Sequence, residues 1–224
     1  RRRGAPIELQ ALWTSGARTL SRLAALGGDA ELAERAARAA DRTRDAFRAR
    51  YWCEATRYPY DCLRRPDDAD GPIADTSVRA NALVALDVDP SLFERWQAQA
   101  VLERVRASLR TPRGIRSLDP EDPGYRGEHE GTPEERRLAL HRGLGWTHLL
   151  GAYARASLRL SPDDFDLAES LRVLVEQARL GGPVLLGVTQ FAEGDAPYRP
   201  GGCPAQAASV AELLRTLVVD LRLC

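Results

Sequence analysis

Asp75 and Arg79 stand one helical turn apart, so their spacing predicts that they project together from one helix face. Such a pair either hydrogen-bonds a polar ligand or forms a surface ion pair of small worth. Asn81 follows closely and is the only Asn in the chain, which hints at a specific hydrogen-bonding role. His141 and Trp146 open a long apolar run. An indole can stack on a flat ligand face and an imidazole can bond its hydroxyls, but both also serve as buried packing. Tyr125 and His129 share a loop rich in Pro and Gly, where they either line a cleft or pin the loop down. Asp195 and Arg199 are placed to pair within a second loop. Cys203 follows Gly201-Gly202 at an expected helix start, where a thiolate is favoured; a small buried residue is nonetheless expected there.

Metal chemistry finds no support in the spacing. The four Cys (Cys53, Cys62, Cys203 and Cys224) form no C-x-x-C pair, the three His are scattered, and no Asp-rich loop has EF-hand spacing. No metal and no cofactor is expected. Four Cys in 224 residues are no disulfide framework, so a reducing cytoplasm is the expected compartment. The 32 basic residues balance 32 acidic ones, which argues against a nucleic-acid partner. Every basic residue is Arg and none is Lys, a bias expected of a GC-rich genome. The longest uncharged apolar runs, such as Leu149 to Ala154 and Val184 to Val188, fall far short of the roughly 20 residues of a membrane span. The chain opens Arg1-Arg2-Arg3-Gly4 and has no Met, as expected of a piece of a longer protein.

The elements that must position these residues read as helices. Apolar periodicity predicts about seven: residues 7–26, 29–50, 77–86, 89–109, 134–160, 161–180 and 204–223. Gly27-Gly28 stops the first, and Asp29 caps the second. Pro66-Asp67-Asp68, Asp70-Gly71-Pro72 and Gly181-Gly182-Pro183 carry turn chemistry. Two long loops, 111–132 and 184–202, precede the fifth and last helices; loops of that length are usually functional or disordered. No strand-rich region is expected. Alternating short and long connections fit a toroid of helical hairpins with its long loops gathered at one end. A helical repeat scaffold gives the same rhythm.

The loops carry a resemblance. Thr111-Pro112-x-Gly114-Ile115-Arg116-Ser117-Leu118-x-Pro120-x-Asp122-Pro123-x-Tyr125-x-Gly127 with Gly131 resembles a signature of the C-terminal amylo-α-1,6-glucosidase region of glycogen debranching enzymes. Pro6-Ile7-Glu8-Leu9-Gln10-Ala11-Leu12-Trp13 resembles its Pro-Val-Glu-Ile-Asn-Ala-Leu-Trp segment. Asp75-x-x-Val78-Arg79-x-Asn81 and Ala139-x-His141-x-Gly143-x-x-Trp146 resemble two further motifs. Gly194-Asp195-x-Pro197-x-Arg199-Pro200-x-Gly202-Cys203-Pro204-Ala205-Gln206-Ala207 resembles the last. The five occur in the family's order over nearly the whole chain.

The resemblance implies an all-α (α/α)6 toroid, of which residues 1–224 would be the C-terminal portion. It implies inverting hydrolysis of α-1,6-linked glucose at glycogen branch points. The missing N-terminal part of the toroid, with its general acid, becomes an expected partner, and an open apolar flank predicts association or instability. Inversion needs an acid and a base about 6.5–9.5 Å apart. The family's base falls at Gln190, whose amide cannot accept the attacking water's proton. Glu193 is the alternative, if the loop shifts register. As implied by the motifs, Asp75, Arg79, Asn81, Tyr125, His129, His141, Trp146, Arg199 and Gln206 bind the glucan, with Glu8 in support and Trp13 in the core. His148 stands where the family has Trp. Three functions follow as alternatives: a debranching glucosidase, an inactive α-glucan-binding remnant, or a helical binding scaffold.

Overall fold

The computed structural model describes residues 4–64, 73–180 and 187–222. The turn signals at 66–72 and 181–183 therefore lie outside the described residues. The chain divides into two compact units: Arg1–Thr76 with Val84–Val101, and Ser77–Leu83 with Leu102–Cys224.

In the first unit a short strand β1 (Ala5–Pro6) leads into α1 (Ile7–Leu26), which packs on α2 (Ala30–Arg50). The glycines end α1 as expected, with Gly28 at φ 81°. Asp29 caps α2, accepting the Leu32 N–H at 2.9 Å. A hairpin of β2 (Trp52–Cys53) and β3 (Tyr58–Pro59) follows. Strands β4 (Cys62–Arg64) and β5 (Ile73–Asp75) join β1 in a three-stranded sheet ordered β1-β4-β5. Phe47 knits the core, stacked on Tyr51 at 4.6 Å and edge-on to Phe93 at 5.2 Å. Helices α3 (Asn81–Val88) and α4 (Arg95–Arg104) cross the division, with a 3₁₀ turn Pro90–Leu92 between them.

The second unit continues through a π turn (Val105–Leu109) into β6 (Arg110–Thr111) and β7 (Gly114–Arg116). Then come α5 (Pro133–Ala139), β8 (Gly145–Trp146), α6 (Leu149–Leu160) and α7 (Phe165–Leu180). Strands β9 (Phe191–Ala192) and β10 (Pro200–Gly201), helix α8 (Ala207–Arg215) and a π turn (Thr216–Asp220) close it. The strands form one antiparallel sheet in the order β10-β9-β8-β7-β6. Residues Leu150 to Ser157 of α6 are all buried, and α6 packs on α8 with Arg155 bonded to Glu212 at 2.8 Å.

The mostly helical class is the one expected, with eight α-helices among the described residues. Four expectations are corrected. The single helix over 89–109 is interrupted, because Phe93 is extended (φ −109°, ψ 141°) between the 3₁₀ turn and α4. The single helix over 134–160 is two, because Gly143, at φ 153°, breaks it and Gly145-Trp146 is drawn into the sheet between β7 and β9. Short strands do interrupt the helices; at two or three residues each they are too brief to show alternation. The helix expected from Ser77 begins at Asn81, since residues 73–75 extend to pair with β4. Among the described residues no helix is long and apolar enough to cross a membrane.

Candidate functional site

The five-stranded sheet of the second unit works as a clamp on three loops. Where β7 meets β8, a Cβ on Gly114 would stand 2.8 Å from the Gly145 backbone, so only glycine allows this approach. Arg116 leaves β7 and donates Nε–H to the Gly194 carbonyl at 2.8 Å and Nη1–H to the Ser108 carbonyl at 2.8 Å. The first long loop then meets the other two. Arg126 N–H donates to the Arg142 carbonyl at 2.5 Å, and Gly194 N–H to the Gly127 carbonyl at 2.7 Å. Tyr125 Oη donates to Asp195 Oδ1 at 2.8 Å. Burial and this bond push the Tyr125 phenol well above its ordinary range. The loops enclose a cleft of about 400 Å³ lined by Tyr125, Arg126, Glu128, Glu130, Glu135 and Asp195. Hydroxyl donors find carboxylate acceptors here, as a neutral polyol requires.

Beside the loops lies an aromatic cluster set by sheet register. Trp146 stands opposite both Ile115 and Phe191 in the sheet. Its ring lies 6.1 Å from Phe191 and 5.6 Å from His148, and is stacked with His141 at 6.3 Å. Its Nε1–H is fixed on the Leu140 carbonyl at 2.9 Å. His129 also packs on Phe191, edge to face with ring centroids 4.9 Å apart. Burial lowers the His129 pKa, helped by nearby Arg136 and opposed by Glu193. Burial also lowers that of His148, opposed by Glu212.

The residues at the expected base positions are both engaged. Gln190 Oε1 accepts the Cys203 N–H at 3.3 Å, and Gln190 N–H donates to the Cys203 carbonyl at 3.0 Å. Glu193, only 7% exposed, accepts Arg199 Nε–H at 2.8 Å. Arg199 reaches Glu130 at 3.2 Å with its other arm. The expected Arg199–Asp195 pair is therefore corrected: the turn after Asp195 sends that carboxylate to Tyr125 and leaves Arg199 to Glu193 and Glu130.

Other expected residues divide. Arg79 joins this unit, donating Nη1–H to the His141 carbonyl at 2.8 Å. His141 itself is exposed, and Asn81 is the half-buried first residue of α3. Gln206 caps α8 by accepting from Ser209 N–H at 3.0 Å, a structural task. Asp75 does not share a helix face with Arg79. It ends β5 in the other unit and pairs with Arg64 at 2.6 Å. Trp13, expected in the core, is exposed, as is Cys203. Glu8 is half-buried.

Three participants were missed. Arg116 stands inside a quoted motif, and an Arg directly after a Gly-Ile strand was a usable signal. Phe191 and Glu130 carried none, because only folding brings them to Trp146 and Arg199. Among the described residues no group of His, Cys, Asp or Glu is arranged to hold a metal ion.

Comparison with known proteins agrees with this geometry. A yeast glycogen debranching enzyme (Saccharomyces cerevisiae) is 32% identical over 91 residues, covering 38% of this chain and 6% of that protein. The fold matches a GH63 mannosylglycerate hydrolase from Thermus thermophilus with TM-score 0.65 at 14% identity, over 94% of this chain and 45% of that one. A solved sialidase matches with TM-score 0.70 at 13% identity, over 96% of this chain and 20% of its own. The chain thus spans less than half the length of these relatives. The helical toroid class implied by the motifs stands on these likenesses. The model of one family, amylo-α-1,6-glucosidase, matches residues 1–215, and this chain belongs to that family.

Proposed function

We propose that this chain recognises the branch-point glucose of glycogen or a limit dextrin and serves inverting hydrolysis of its α-1,6 bond, with low turnover. The observation that carries the reading is Gln190. Its amide stands where the family's base is expected, and its oxygen is held by the Cys203 N–H at 3.3 Å. An amide in that post can orient a sugar hydroxyl or a water but cannot take its proton. Tyr125, Asp195, Glu130 and Arg199 supply donors and acceptors for sugar hydroxyls, and the exposed side of the Trp146–His141 pair offers a face for the ring. Arg79 supports that face through the His141 backbone. The general acid, and the helical portion that carries it, belong to the share of the domain that the longer relatives have.

A second reading, glucan binding without hydrolysis, is favoured by the same amide and by Glu193 being tied to Arg199. Glucose release from a branched limit dextrin separates the two, measured with the upstream helical portion and its acid restored to both the parent and the Gln190→Glu variant. Slow release that rises at least tenfold in Gln190→Glu supports the enzyme. Binding with no release from either protein supports the binding module. No binding at all sinks both.

A further inference from the structure

We propose that the first unit holds a second ligand site, a cavity that takes a phosphorylated sugar. The cavity measures about 540 Å³ and is walled by α1, α2 and the 3₁₀ turn at Pro90–Leu92. Small-molecule sites span about 300–1,000 Å³, so a sugar phosphate fits. The cavity lies wholly in the first unit, whereas Tyr125 and Asp195 belong to the second. Ser15, Arg18 and Arg22 are spaced three and four residues apart, so α1 turns all three toward it. They lie on the side of the buried Ile7, Ala11 and Thr14, and the exposed Leu9, Leu12, Leu20 and Leu23 lie on the opposite side. The walls of the cavity are therefore this chain's own.

One guanidinium is held in place. Asp89, only 4% exposed, accepts Arg18 Nη1–H on Oδ1 at 2.8 Å and on Oδ2 at 3.0 Å. Its Oδ1 also accepts the Ser91 hydroxyl at 2.6 Å and the Ser91 N–H at 3.2 Å. A buried carboxylate so fully engaged supports Arg18 rather than a ligand. Every Arg18 bond leaves from Nη1, so among the described residues its Nε–H and Nη2–H have no acceptor. Arg22 has no partner among the described residues. Asp41, across the cavity on α2, is matched by Arg44 at 2.8 Å. The unmatched charge of the lining is thus positive. Two guanidinium groups one turn apart, each with spare donors, suit a phosphomonoester, which accepts several charge-assisted bonds at once. The remaining wall says what carries the phosphate. Asp41 Oδ2 is left to accept a hydroxyl, and Ala37, Ala40, Val88 and Pro90 offer an apolar surface to the carbon face of a ring. A free sugar phosphate and a phosphate ester borne on a glucan chain share this chemistry.

Isothermal titration of the whole chain with inorganic phosphate, glucose and glucose 6-phosphate tests the site, in about 0.15 M salt so that loose ion pairing is screened. Glucose 6-phosphate should bind at least tenfold tighter than either phosphate or glucose. Arg22→Gln, at an exposed position, should weaken it at least tenfold with unchanged circular dichroism. Asp41→Asn should bind inorganic phosphate at least as well as the parent, yet prefer the sugar phosphate less, a split that a damaged fold does not produce. Affinity electrophoresis then separates the two sources. Retention by a phosphorylated maltodextrin above its phosphatase-treated form, lost in Arg22→Gln, assigns the chain-borne ester. Equal retention by both dextrins, with glucose 6-phosphate still bound, assigns the free sugar phosphate. The proposal is overturned if glucose 6-phosphate fails to bind at about 10 mM, well above the range of a specific small-molecule site. Sulfate binding as tightly as glucose 6-phosphate overturns it too, as does an Arg22→Gln protein that binds like the parent.

Discussion

Tyr125 and Asp195, 70 residues apart in sequence, share a 2.8 Å hydrogen bond that fastens the first long loop to the second. A phenol donating to a carboxylate is a charge-assisted bond, and Arg116, 3.9 Å from the same carboxylate, adds to it. Tyr125→Phe removes the bond without changing the ring. We expect a loss of about 1–2 kcal/mol, the low end for a bond to a charged group because Asp195 is partly exposed. Urea denaturation followed by circular dichroism checks it, and a loss below a few tenths would show that the loops are held by their backbone bonds alone.

Glu193 and Arg199 form a lopsided pair, the acid buried and the base exposed. Arg199→Ala leaves a buried carboxylate without its cation. Glu193→Gln keeps a neutral acceptor, and Arg199 retains Glu130. We therefore expect Arg199→Ala to lower the stability measurably, because it strands the buried carboxylate, and Glu193→Gln to lower it less. In the double variant most of the Arg199→Ala loss should return. Additive losses in thermal or urea melts would contradict the pairing.

Gly114 lies where β7 crosses closest to β8. Gly114→Ala puts a methyl 2.8 Å from the Gly145 and Trp146 backbone, which cannot give way as a side-chain end could. We expect at least about 2 kcal/mol of destabilisation, the range of overpacking. The near-ultraviolet dichroism of Trp146, which shares this strand pair, should collapse with it.

Trp146 reports on the proposed glucan face. Of the chain's four Trp, the other three, Trp13, Trp52 and Trp96, lie in the first unit. A branched oligosaccharide should change the fluorescence of the parent and leave that of Trp146→Phe unchanged. An equal change in both proteins would move the binding surface to another Trp.

His129 and His148 set a pH dependence. Both have pKa values lowered by burial, so the fold favours their neutral forms. The unfolded chain binds these protons near pH 6.5, the folded chain only at lower pH. Stability is therefore fully present above about pH 6.5 and falls as the pH drops from there toward the folded values. Melting temperatures between about pH 7.5 and 5 should fall less steeply in a His129→Phe, His148→Phe variant. Arg136, Glu193 and Glu212 face these rings and remain in both proteins.

Much of this protein was legible without folding it. Helices α1 and α2 match their apolar periodicity, down to the Gly27-Gly28 stop and the Asp29 cap, because periodicity, caps and glycine stops act within a few residues. The five motifs carried the family for the same reason, since short runs of side chains and glycines are written in order. What the sequence left open are contacts whose partners lie far along the chain. The pull of β7 and β9 on Gly145-Trp146 broke a helix that local preference alone would have continued. Pairing with β4 drew Asp75 into a strand instead of the expected helix face, and the turn after Asp195 exchanged the expected partner of Arg199 for Glu193. Backbone pairing in a sheet and burial of a carboxylate are decided by whichever distant group satisfies them. Only the tertiary structure names that group.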